Sequence, residues 1–253
     1  MINTWWELGT LAFVAGVIDA VMGGGGMIQV PALFSAFPTL SPAVIFGTNK
    51  LASAAGTVGA AVQYARARPP AWKTVVPVAL AAFLASALGA WLLTRVPAEP
   101  LRLALPFVLL ALLAYTLLSP SGLDHAPRFP PGREAGVAAA GAAAVGLYDG
   151  FFGPGAGAFY KAYFVRVLGF DFLNSAAPAK IANLASNAGA ILVFLVTGMV
   201  LWPVALGMAL ANFLGGQLGS RIALRYGNRF LRRAFLALVI VLIARSFRDA
   251  YLR

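Results

Sequence analysis

Cysteine is missing from all 253 residues, which removes disulfides, iron–sulfur clusters, thiolate zinc sites and thiol nucleophiles together. Histidine occurs once, as His125 in a polar stretch, so neither a His-based metal site nor a His-dependent catalytic triad can be assembled. Charge is scarce as well. Only 11% of the residues are Asp, Glu, Lys or Arg, too few to coat a soluble domain of this length. No Lys or Arg precedes the first apolar run in Met1-Ile-Asn-Thr-Trp-Trp-Glu7, so a basic n-region is absent and that run is read as a retained helix. The glycine clusters lack the Gly-Lys-Ser/Thr ending and strand context of a nucleotide loop. Together these gaps leave little room for an enzyme, and no cofactor or metal is expected.

What fills the chain is apolar. Hydrophobic residues make up 60% of it, with a mean hydropathy of +0.83. Residues 72–93 contain one charged side chain and 181–204 contain none. Both runs match the roughly 20 residues that a helix needs to cross a bilayer core of about 30 Å. The net charge of +11 is carried mostly between apolar segments, where the positive-inside rule explains it without a nucleic-acid partner. Trp5, Trp6, Trp72 and Trp202 fall at segment ends, as in an aromatic belt. The partner implied is the lipid bilayer, crossed several times.

Sliding the chain by 130 positions aligns its halves without a gap over about a hundred residues. Asp19 meets Asp149, Lys50 meets Lys180, Trp72 meets Trp202, and Gly16, Gly23 and Gly25 meet Gly146, Gly153 and Gly155. Matched Asp, Lys and Trp are rare coincidences in so apolar a composition, so the offset marks an internal duplication. The expected organisation is a first transmembrane repeat over 1–118, a polar Pro-rich linker over 119–134, and a second repeat over 135–253. Each repeat reads as five helical segments: 5–22, 27–37, 42–65, 72–94 and 100–118, then 135–152, 156–170, 172–197, 202–224 and 231–247. The second segment of each set is short, so segments one and two are expected to form a broken or re-entrant helix at the glycine-rich turn.

Charge placement predicts inverted repeats. Segment three ends at Arg66, Arg68 and Lys73 but its copy ends uncharged at Thr197-Gly-Met199. Segment four ends with one Arg and one Glu, but its copy ends with Arg221, Arg225, Arg229, Arg232 and Arg233. A basic side that swaps between copies is what an upside-down second copy produces. Arg245, Arg248 and Arg253 run against the resulting outside placement of both termini. The fold class is therefore an all-α polytopic membrane protein of two inverted repeats.

The residues able to act on a ligand follow from the same duplication. A lysine at mid-membrane depth costs about 2.5–3.5 kcal/mol on insertion scales, which marks Lys50 and Lys180. Lys50, Ser53 and Thr57 share one helical face, and so do Lys180, Asn183 and Asn187. Each face offers one cation and two neutral hydrogen-bonding groups, suited to a small oxyanion; Asn49 adjoins the first. The alternative is a lysine snorkelling to the interface. Gly24, Gly25 and Gly26 in one turn, and Gly155 and Gly157 in the other, can bring backbone N–H groups and a helix N-terminus toward an anion, or can serve close helix packing. Asp19 and Asp149 each precede a glycine turn by four residues. They are open to three roles: proton coupling, neutralising the lysines while substrate is absent, or a structural cap on the turn amides. Gln29, Gln63, Gln217, Tyr148 and Lys161 are weaker lining candidates; Lys161 replaces Pro31 of the first half.

At these residues the chain resembles the TauE/SafE sulfite exporter family, also called the toluene-sulfonate uptake permease family. The resemblance rests on Gly16-Val-Ile-Asp-Ala-Val-Met-Gly-Gly-Gly-Gly26, Val30-Pro31, Gly47-Thr-Asn-Lys50 and Gly56-Thr57, and on Gly146-Leu-Tyr-Asp-Gly-Phe-Phe-Gly-Pro-Gly-Ala-Gly157. The second motif looks like the branch of uncharacterised bacterial inner-membrane permeases. Relatives often place Thr or His before the second lysine, whereas Pro178-Ala179 precede Lys180 here. The resemblance implies transport of small sulfur-containing anions such as sulfite, thiosulfate or sulfonates. The expectation is a secondary carrier with alternating access; an anion channel and a carrier of small carboxylates are the rivals.

Overall fold

The structure is a computed structural model that describes residues 5–118, 125–226, 240, 243, 244 and 248. Among these residues all regular structure is helical. In chain order the helices are α1 (Trp5–Met22), α2 (Gly26–Ala36), α3 (Pro42–Ala67), α4 (Trp72–Leu93), α5 (Ala98–Leu118), α6 (Pro131–Phe151), α7 (Ala156–Arg166), α8 (Ala176–Val196) and α9 (Trp202–Tyr226). Four segments are long and apolar enough to cross a membrane by length and composition: Trp5–Met22, Trp72–Leu93, Ala98–Tyr115 and Ala176–Val196. α3 is longer, with 26 residues or about 39 Å of helix, but Gly, Thr, Asn and Lys dilute its hydropathy.

The expected segments appear with shifted ends. α7 stops at Arg166 and α8 starts at Ala176, later and shorter than the apolar pattern alone suggests. Gly169 has φ +80, which ends helical continuation, and the Asn174 backbone N–H donates to the Asp171 carboxylate at 2.7 Å. Ser41, 130 positions earlier, does the same for α3 by accepting from the Val44 N–H at 3.4 Å. Residues 131–134, expected in the linker, form the first turn of α6, where Pro131 suits a first helical position. The last stretch of the linker is held down: Ala126 N–H donates to Gly169 O and Arg128 N–H to Leu168 O. The expected tenth segment, 231–247, lies outside the described residues except at isolated positions.

Packing follows an exchange between the halves. α4 packs on α6 and α8, and α9 packs on α1 and α3, while α3 and α8 meet each other. Small residues make the contacts close, because lipid gives helices no hydrophobic reason to associate and backbone proximity does the work. A Cβ on Gly16 would strike Asn212 O and one on Gly146 would strike Ala82 O. Likewise Gly89 abuts Leu147 O and Gly219 abuts Val17 O. All four contacts obey the single sequence offset of 130.

Directions can be read from paired contacts. Thr48 near the start of α3 accepts from Leu201 N–H beside the start of α9, and Gln63 near its end bonds Gln217 near the end of α9. α3 and α9 therefore run parallel. Gly47, by contrast, lies against Phe194 and Met199, so the start of α3 meets the end of its copy α8. That arrangement is compatible with inverted repeats. Leucines and tryptophans cover the outside, among them Leu80, Leu84, Leu206 and Leu210 on α4 and α9, together with Trp5, Trp6, Trp72 and Trp202. Apolar side chains turned outward are expected of a surface solvated by lipid.

Candidate functional site

α1 ends at a turn where Gly23 adopts φ +80, and α6 ends at one where Gly153 and Gly155 adopt φ +90 and +79. Only glycine takes this conformation without strain, so each long helix breaks and restarts as the short α2 or α7. The two turns touch. A Cβ on Gly23 would collide with the Gly157 carbonyl carbon, and one on Gly26 would sit 3.2 Å from Pro154 Cα. The Ala158 N–H donates to Gly23 O at 3.1 Å across this seam. Lys50, eight residues into α3 or about 12 Å along it, reaches the Gly153 turn, its Nζ 3.3 Å from where a Gly153 Cβ would stand. The broken ends thus lie within the depth of the spanning helices.

Both central lysines are buried and paired with acids of the opposite half. Lys50 Nζ lies 2.5 Å from Asp149 Oδ1, and Lys180 Nζ lies 2.6 Å from Asp19 Oδ2. Lys50 and Asp149 are each 2% exposed and Lys180 is 5% exposed. The snorkelling alternative is thereby excluded for both lysines. Secondary donors complete each pair. Ser186 donates to Asp149, Thr57 to Asp19 at 3.5 Å, and Lys180 also donates to Asp19 O. The cap role holds for one acid: the Gly25 N–H donates to Asp19 Oδ1 at 3.3 Å, whereas Asp149 spends its oxygens on Lys50 and Ser186. Asp19 and Asp149 therefore neutralise the lysines, and Asp19 caps its turn besides.

A polar cavity of about 20 Å³ lies between the pairs, walled by Asp19, Lys50, Asp149 and the Gly23 and Gly157 turns. Of the residues singled out by sequence, Asn49, Ser53, Asn183, Asn187, Gly26 and Gly155 also line it. Asn49 Oδ1 is buried with no hydrogen-bond partner among the described residues. Gly24 and Gly25 stand behind this wall, Gly25 packing on Asp19 Cβ, and Thr57 is buried beside the same acid. Lys180 lines a second, neighbouring cavity with Tyr64 and Lys161. Among the weaker candidates, Gln63 and Gln217 bond each other, Tyr148 donates to Pro154 O at 2.7 Å, and Gln29 is buried with neither amide atom partnered among the described residues.

The sequence matches the family described as Sulfite exporter TauE/SafE over residues 8–246. The chain belongs to the TauE/SafE family. Similar TauE/SafE-type chains are a Sinorhizobium protein named probable membrane transporter protein ORF9, 40% identical over 94% of this chain and 90% of that one. Another is the probable membrane transporter protein YfcA of Escherichia coli K12, 36% identical over 96% and 91%. A Haemophilus influenzae probable membrane transporter protein is 33% identical over 94% and 92%. No solved structure matches the chain. Family membership and the apolar helices make this a multi-pass membrane transporter of the inner membrane rather than an enzyme. Among the described residues no cluster of His, Cys, Asp or Glu could hold a metal ion.

Three features of this TauE/SafE site escaped sequence reasoning. Helical spacing groups side chains on their own helix, so it gave each lysine polar neighbours from one half and left open which acid each lysine meets. Ser186, three residues after Asn183, was legible only once Asp149 was known to need a second donor. Asn212 was likewise unmarked; it donates to Ala12 O at 2.9 Å, with its Oδ1 where a Gly56 side chain would be.

Proposed function

We propose that this TauE/SafE protein is a secondary carrier of small anions, in which substrate displaces the two aspartates from the two lysines. The observation that carries the reading is the crossed pair of buried ion pairs, each joining opposite halves across the glycine seam. An oxyanion reaching Lys50 or Lys180 takes the place of a carboxylate with the same charge and similar acceptor geometry. Freed of their lysines, Asp19 and Asp149 no longer tie the halves together, and one half can rock against the other. The cavity supports this order of events. At about 20 Å³ it has room for roughly one water, so an oxyanion enters only as the halves separate. The Asn49, Asn183 and Asn187 amides and the Ser53 hydroxyl supply neutral donors around it. The family description, a sulfite exporter, favours sulfur oxyanions and sulfonates as substrates.

The test is counterflow in proteoliposomes with sulfite, thiosulfate, sulfoacetate and taurine. A carrier accumulates labelled substrate transiently against unlabelled substrate inside; a channel shows no such trans-stimulation. Loss of counterflow in Lys50→Ala and Lys180→Ala supports the displacement mechanism, and its survival in both variants removes the lysines from it. Stabilisation by small carboxylates alone in a thermal-shift screen would replace the sulfur preference with a carboxylate one.

A further inference from the structure

The central ion pairs leave one lysine without a carboxylate. Lys50, Lys161 and Lys180 are opposed by Asp19 and Asp149 alone, and Lys161 has no carboxylate partner among the described residues. Its Nζ donates to Val21 O at 3.1 Å, near the end of α1, and stands 3.1 Å from the Phe172 ring centroid. A carbonyl and a ring face stabilise a cation but do not cancel its charge. Lys161 sits midway along α7, five residues or about 8 Å from the glycine seam, with the 167–175 loop beyond the far end. It lines the cavity of about 10 Å³ that also contains Lys180 and Tyr64. Gly23 and Gly157 wall both this cavity and the central one. The Lys180–Asp19 pair crosses the same partition, with Asp19 on the central side and Lys180 on the Lys161 side.

We propose that Lys161 and Lys180 form a subsite for a monovalent oxyanion, a carboxylate or sulfonate monoanion, on the route between the 167–175 loop and the central cavity. The proposal rests on the carrier reading and adds to it a staging position. A monoanion seats there as this cavity of about 10 Å³, too small for it at rest, widens, and it supplies the counter-charge that Lys161 lacks. From there its next contact is Lys180, which exchanges Asp19 for it. The subsite is one-sided, because Pro31 occupies the equivalent position of the first half, so the two routes to the centre differ.

The experiment titrates the full chain in detergent and chloride-free buffer with methanesulfonate, by calorimetry. Wild type is expected to bind saturably. Lys161→Gln and Lys161→Met, the latter keeping an apolar stem over Phe172, are expected to raise Kd at least about ten-fold through loss of one charge-assisted contact. Lys161→Arg is expected to stay within about three-fold of wild type, since the charge is retained. A folded Lys161→Met with wild-type Kd overturns the subsite and leaves the carrier reading standing if counterflow persists. Loss of binding in Lys161→Arg as large as in the uncharged variants also overturns it, because charge would then not be the cause. Absence of methanesulfonate binding in a wild type that still performs sulfite counterflow overturns the subsite alone. Absence of both binding and counterflow overturns the carrier reading with it.

Discussion

Removing the Lys50 ammonium would leave the Asp149 carboxylate buried with the Ser186 hydroxyl as its remaining side-chain donor among the described residues. A buried charge stripped of its partner costs about 3–5 kcal/mol, whereas replacing both partners by apolar groups can be neutral. Lys50→Ala is therefore expected to lower thermal stability in detergent by about that amount, and Lys50→Met/Asp149→Leu to recover most of it without recovering counterflow. Stability and transport would then separate in one double-mutant cycle. Should the double variant transport normally, the ion pair would be structural only. The lysines themselves were visible in the sequence because they recur, with polar neighbours, at one offset. The acids recur too, but which one meets which lysine was not visible: Lys50 and Asp149 are 99 residues apart, and nothing local in either segment points to the other.

Glycine positions with left-handed backbone allow the turn and its contacts to be told apart. Gly23 has φ +80 and presses on Gly157, while Gly198 has φ +70 and faces open space. Alanine at Gly198 should cost only the backbone term, about 1–2 kcal/mol, with counterflow intact. Alanine at Gly23 should cost more and slow counterflow, because the added carbon forces the seam between the halves apart. Equal thermal shifts and equal transport in the two variants would remove the seam from the mechanism. The turn closed by Asp171 offers a pH readout outside the spanning segments. Partial burial works against its charge, but the Asn174 backbone and side-chain amides outweigh it and hold the Asp171 carboxyl below its ordinary value. A depressed carboxyl contributes stability that is complete above its unfolded pKa, near 3.9, and lost as pH falls through the lower folded value. Asp171→Ala is accordingly expected to cost about 0.5–2 kcal/mol at neutral pH, a deficit that shrinks in melts taken below about pH 4. Helix ends of this kind were read poorly from sequence, since apolar periodicity continues past Arg166, whereas Gly169 takes φ +80 and Asp171 opens the turn that precedes α8.

Parallel packing of α3 and α9 carries their exposed basic ends, Arg66 and Arg68 on one and Arg221 and Arg225 on the other, to the same face of the bundle. The positive-inside rule assigns that face to the cytoplasm. With no native cysteine to remove, Arg68→Cys and Arg225→Cys should react with a membrane-impermeant thiol reagent only from the cytoplasmic side. Thr197→Cys, exposed at the end of α8, should react only from the other. Labelling of Arg68→Cys and Arg225→Cys from opposite sides would overturn the common face. The all-helical membrane class was the most legible level, because the length and apolar content of a run survive any error in helix ends, and the packing is compatible with the inverted arrangement that the swapped charge bias predicts.

The crossing of the two ion pairs also bears on how the chain is made. Lys50 leaves the ribosome 99 residues before Asp149, a delay of about 5–20 s at bacterial elongation rates. During that interval Asp19 is the acid available inside the nascent first half, and it waits still longer, 161 residues, for Lys180. Until the later helices arrive, Lys50 and Asp19 lack the partners they hold in the finished fold. Neither half, expressed alone, would reach the mature pairing.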